Sequence, residues 1–204
     1  MTSGPMTFTT ARARGTLIAV LLFAQGTATA QRGDTGWDVA ALAQILQARP
    51  AASARFSETR FIELLDEPLA LNGILRYQAP DYVRKEVLAP YHEVFEARGD
   101  QLFHESEDRG RQSFLLDEHL AVRAFVEAFR ATLGGKLDVL QRYYTLKLGG
   151  DQAGWSLQLR PLDRDMKKVV STITIHGAGA EVARIESLET GGDLSVMTIQ
   201  PDGE

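Results

Sequence analysis

The four histidines, His92, His104, His119 and His176, are the side chains best suited to metal or acid–base chemistry, and their spacing argues against it. None lies within four residues of another, so no helix face presents two imidazoles to a zinc ion. His104-Glu105 starts like a metal motif, but Ser106, Glu107 and Asp108 follow where a second histidine would be needed. The stretch from Glu105 to Asp108 is expected as a solvated acidic loop. The chain has no cysteine, which removes thiolate ligands, thiol nucleophiles and disulfides together. A nucleophile elbow, a glycine-rich phosphate loop and a Ser-x-x-Lys pair are all missing. Carboxylates are plentiful, yet no spacing identifies two that would face each other across a cleft. The expectation is a non-enzyme without metal or cofactor.

What the sequence offers instead is apolar surface, arranged by two periods. Trp37 to Arg49 places Val39, Leu42, Ile45 and Leu46 at helical spacing, with Pro50 as the stop. The period then changes to two. Leu69, Leu71, Gly73, Leu75 and Tyr77 would share one face of a strand. Further strands are expected over Arg55–Leu65, Asp81–Val87, His92–Ala97, Gln101–Ser106 and Arg111–Leu116, with Gly99-Asp100 as a hairpin turn. A second helix interrupts them. Val122, Phe125, Val126, Phe129 and Leu133 form a continuous apolar stripe, Asp117 is the expected N-cap and Gly134-Gly135 the stop. Lys136 to Arg142 adds a further helical turn. Strands resume with Tyr144-x-Leu146-x-Leu148, Trp155-x-Leu157-x-Leu159 and Ile173-x-Ile175. Glu181–Glu189 and Asp193–Ile199 close the chain around Gly191-Gly192. The sum is about eleven antiparallel strands in one domain.

The N-terminus sets the expected compartment. Arg12 and Arg14 precede an unbroken apolar run from Leu17 to Ala24, and Ala28-Thr29-Ala30 supplies a small-residue exit. Those three parts describe a secretory signal peptide over residues 1–30, cleaved before Gln31. The run is far short of the ~20 residues that a membrane-spanning helix needs. A cysteine-free mature chain over residues 31–204 has no site for bacterial lipoprotein acylation, so a soluble, unanchored periplasmic protein is expected. The formal net charge of −5 argues against nucleic acid as a partner.

The order of these pieces resembles the LolA-like periplasmic lipoprotein carriers. A helix leads into the strand Ala54-Arg55-Phe56-Ser57-Glu58-Thr59, followed by a Gly-x-Leu-x-Tyr strand, Gly73-Ile74-Leu75-Arg76-Tyr77. A proline-to-proline hairpin comes next, Pro80 to Pro90, then a strand, a Gly-Asp turn and another strand. The mid-chain helix, the strand at Gly154-Trp155-Ser156-Leu157 and the paired final strands extend the likeness over the whole mature segment. The resemblance implies a mainly β (α+β) fold: a single curved, unclosed antiparallel β-barrel with an amphipathic helical lid. It also implies a carrier that shelters the acyl chains of a lipoprotein or other lipid between an inner-membrane exporter and an outer-membrane acceptor. A LolA-fold module that binds or senses protein without lipid is the rival reading. Where the family's lipoprotein carriers place an arginine before the first proline and aromatics after it, this chain has Ala79, Val83 and Lys85. Those departures resemble a LolA-related branch associated with aryl-polyene or other lipid export, which leaves the cargo open between a lipoprotein and a glycolipid or polyene lipid. On the sheet side, the expected cavity residues are Leu71, Leu75, Tyr77, Phe95, Leu146, Leu157, Leu159, Ile173 and Ile175. Val122, Phe125 and Phe129 are the expected lid.

Overall fold

The computed structural model describes residues 36–47, 51–118 and 120–201, without the side chains of residues 120, 121, 124 and 125. The expected signal peptide, Pro50 and His119 lie outside the described residues. Helix α1 (Val39–Leu46) opens on Asp38, whose Oδ1 accepts the Ala41 N–H at 2.8 Å. Leu42 and Leu46, one turn apart, are its buried stripe.

Six strands then run in hairpin sequence: β1 (Ala51–Phe61), β2 (Leu69–Gln78), β3 (Tyr82–Ala89), β4 (Glu93–Arg98), β5 (Gln101–Ser106) and β6 (Gly110–Leu115). Helices α2 (Leu120–Leu133) and α3 (Leu137–Leu140) interrupt them. Five more strands complete the chain: β7 (Tyr144–Asp151), β8 (Gly154–Pro161), β9 (Val170–Ala178), β10 (Glu181–Glu189) and β11 (Leu194–Pro201). Several boundaries differ from the expectation, that of β1 the most. β1 ends earlier because Ile62 to Leu65 close a turn, with the Leu65 N–H donating to the Ile62 carbonyl at 2.9 Å, and it begins earlier because its ladder with β2 extends to Ala51 opposite Gln78. The acidic loop is shorter, since Glu105 and Ser106 are the last residues of β5.

All eleven strands join one antiparallel sheet in the order β6-β5-β4-β3-β2-β1-β11-β10-β9-β8-β7. Pairing of β1 with β11 puts the two ends of the described chain at the centre and leaves β6 and β7 as edges. The connection between those edges is therefore the segment carrying α2 and α3. The sheet does not close on itself. It is strongly curved nonetheless: β5 and β10 are six strands apart, roughly 29 Å if flat, yet Leu102 and Ser187 line one cavity.

The concave face is filled unevenly. Leu42 and Leu46 of α1 and Leu137 and Leu140 of α3 share a core with Trp155, Leu157, Leu159 and Ile173, which fills the β8–β9 half. Over the β4–β5 half, α2 is held by a much smaller cluster of Ala97, Leu116 and Val126, with Leu102 packed against it. A 3-10 turn, Leu116–Glu118, leads into α2, and Asp117 pairs with the Arg123 side chain there. At the far end of α2, Gly135 takes φ +62°, with Gly135 N–H donating to Thr132 O and Lys136 N–H to Ala131 O. This is the Schellman geometry that a glycine stop permits.

Candidate functional site

The uneven filling leaves an apolar space between α2 and the sheet. It has two chambers, of about 510 Å³ and about 90 Å³. Leu75, Val83, Phe129 and Ile185 line both, forming a waist. From the sheet, Phe95, Ala97 and Met197 add to the larger chamber, and Val122 and Val126 of α2 roof it. Phe61, Ile62 and Val169 also line it, and Phe61 and Val169 are about half exposed, which extends the apolar surface outward.

Several polar groups interrupt that wall. Strand alternation puts Phe56, Glu58 and Arg60 on one face of β1, and Glu58 is only 3% exposed. Its carboxylate accepts three donors: Lys85 Nζ, Arg60 Nε at 2.7 Å and Ser195 Oγ at 2.7 Å. All four residues line the larger chamber. Burial pushes the Glu58 carboxyl upward, but Lys85, with help from Arg60 and Ser195, outweighs it and holds the group below its ordinary value. Lys85 is pushed down by burial, only partly offset by Glu58. Its ammonium also sits 5.1 Å from the Phe56 ring centroid. Burial likewise raises Tyr144, whose side chain lines the same chamber. On β5, His104 stacks on Phe95 with ring centroids 4.6 Å apart, and its Nε2 lies 2.8 Å from Glu93 Oε1.

The residues named from the sequence fall into three groups. Leu75 and Phe95 line the larger chamber, with Leu75 at the waist; Tyr77 and Ile175 line the smaller one. Leu71, Leu157, Leu159 and Ile173 are buried in the core shared with α1 and α3, and Leu146 packs against that core. On α2, Val122 and Phe129 face the cavity, while the Phe125 side chain lies outside the described residues. The sequence reading did not place Glu58, Arg60 and Ser195 at the site, and it treated Lys85 only as a departure. The alternation Phe56-x-Glu58-x-Arg60 was the available signal. Among the described residues, no group of three or more metal-ligating side chains is placed to hold an ion, and no helix is long and apolar enough to cross a membrane.

Comparison with solved structures finds a LolA superfamily protein from Nitrosomonas europaea, at 8% identity and a TM-score of 0.40, covering 81% of this chain and 93% of that one. A DUF1329 family protein from Desulfovibrio piger matches at 9% identity and a TM-score of 0.44, covering 82% and 92%. A chain from the complex of the CwlD amidase with the GerS lipoprotein of Clostridioides difficile matches at 15% identity and a TM-score of 0.36, covering 73% and 82%. No curated protein matches the sequence. The family model described as outer membrane lipoprotein carrier protein LolA-like matches residues 28–200. With that match spanning nearly the whole sequence, the chain belongs to the LolA-like family of outer membrane lipoprotein carrier proteins.

Proposed function

We propose that this protein is a soluble periplasmic carrier that shelters the acyl chains of a lipoprotein or other lipid and moves it from inner to outer membrane. The cavity of about 510 Å³ under α2 is the observation that carries this reading. Its size falls within the ~300–1,000 Å³ of typical ligand sites, and its lining is mostly apolar. Burying ten methylenes there contributes about 8 kcal/mol before ordering costs. On this reading Leu75, Tyr77, Phe95 and Ile175 touch the chain, and Val122 and Phe129 cover it. Leu71, Leu146, Leu157, Leu159 and Ile173 form the rigid wall behind. Residues 1–30 are a signal peptide, residues 31–204 are the carrier domain, and an inner-membrane exporter and an outer-membrane acceptor are the partners.

The test is native mass spectrometry with lipid extraction on protein recovered from the periplasm. A mature mass beginning at Gln31 and a co-purifying acyl lipid or lipoprotein are expected. Empty protein that also fails to take up a fluorescent fatty-acyl probe would overturn the carrier role and favour a protein-binding or sensing module.

A further inference from the structure

An apolar cavity needs no buried charge in its wall, so the Glu58 cluster calls for an account. Two cations, Arg60 and Lys85, share one buried carboxylate. Lys85 reaches it from β3 across β2, where Gly73 leaves room for the Phe56 ring. A Cβ on Gly73 would stand 2.7 Å from the Phe56 ring that underlies the Lys85 ammonium, and 1.8 Å from the Glu86 carbonyl oxygen. The hydrogen-bonded ladders already join β1 to β2 and β2 to β3. Arg60 meets Glu58 through Nε, so four of its five N–H donors lie outside that bond, and Lys85 carries three donors for its one bond. Neither side chain can accept a hydrogen bond, so their natural complement is an oxygen anion.

The other charges near the cluster divide by position. Glu93 attracts both cations from β4, but its carboxylate is engaged by His104. Glu189, at the end of β10, and Asp193, in the turn before β11, line the chamber, and Asp193 Oδ1 accepts the Glu63 N–H. Glu189 is exposed and Asp193 half-buried, so these acids discourage an anion at the turn while the cations receive one further along the wall.

We propose that the cavity takes an amphiphile with one anionic head, a carboxylate or phosphate, which Lys85 and Arg60 bind while the chain runs toward Leu75 and Phe129. This rests on the carrier reading above. The test is calorimetric titration of the protein with hexadecanoate, hexadecyl phosphate, hexadecanol and inorganic phosphate. The two anionic amphiphiles bind about tenfold more tightly than the alcohol, the effect of a charge-assisted hydrogen bond. Inorganic phosphate binds far more weakly than either. Replacing all three charges together, by Glu58→Met, Lys85→Met and Arg60→Gln, abolishes the preference of the anionic amphiphiles over the alcohol. Should that variant fail to fold, Arg60→Gln narrows the preference in an intact cluster of Glu58 and Lys85. Equal binding of acid and alcohol by the unaltered protein overturns the head-group site and leaves the carrier reading standing. Binding of inorganic phosphate as tight as that of hexadecyl phosphate overturns an amphiphile-specific site. If none of the three amphiphiles binds, the carrier reading falls as well.

Discussion

Glu58 governs how the molecule answers substitution and acid. It is 3% exposed and its carboxylate holds Lys85, Arg60 and Ser195. Glu58→Gln keeps the shape but strips the counter-charge from a largely buried ammonium, and a loss of about 3 kcal/mol is expected, read from the urea midpoint. Removing the Lys85 ammonium as well, in Glu58→Met with Lys85→Met, recovers part of that loss, because the more deeply buried cation is no longer left unpaired while Arg60, one-third exposed, turns to solvent. Acid should act on the same group. The folded Glu58 pKa lies below the ordinary 4.5, so between those two values the unfolded chain binds more protons than the folded one. The stabilisation is fully present above 4.5 and is lost as pH falls through the lower, folded value. Urea midpoints measured from about pH 6 to about pH 3 should fall more steeply for the unaltered protein than for the double methionine variant. That difference isolates Glu58 from Glu86, another carboxyl held low in the fold.

Among the elements, the junction of α2 with α1 depends on one glycine. Gly135 has φ +62°, and a Cβ there would stand 2.3 Å from the Ala43 carbonyl oxygen of α1. Gln47 Nε2 also donates to the Gly135 carbonyl at 3.0 Å. Gly135→Ala is expected to lower stability by about 2 kcal/mol or more, from left-handed backbone strain combined with the clash, read as a drop in Tm. The sequence marks Gly134-Gly135 as a helix stop, but the contact with α1 is invisible to it, since no local pattern reports which element crosses which. The same reason explains the cavity. Alternation identifies the inward face of β8 and β9 through Leu157, Leu159 and Ile173, but α1 and α3 occupy that half and turn those residues into core. Leu75 and Phe95, equally legible, sit under α2, where the filling stops. Glu58, and Lys85 as its partner, escaped notice because a charge in a strand is ordinarily read as outward, and the pair spans 27 residues.

The described residues form an open sheet whose edge strands, β6 and β7, are joined through α2 and α3, so the cover is part of the chain's path. Its two ends are secured unequally. α3 belongs to the large core through Leu137 and Leu140, whereas Val126 of α2 and Leu116 of the turn before it meet the sheet in a small cluster with Ala97 and Leu102. Tilting the Val122 end of α2 away would break that small cluster while sparing the strand ladders, and a carrier must release cargo at low cost. The absence of native cysteine makes a direct test possible. Ala97→Cys with Val126→Cys places one thiol on β4 and one on α2 within the same cluster. Once oxidised, with closure verified by loss of free thiol, the pair should slow exchange of a bound acyl probe by at least about tenfold, and reduction should restore it. Unchanged exchange in the oxidised protein would mean that ligand passes beside Phe61, Ile62 and Val169, where the apolar lining already reaches the surface, and α2 would then be a fixed roof.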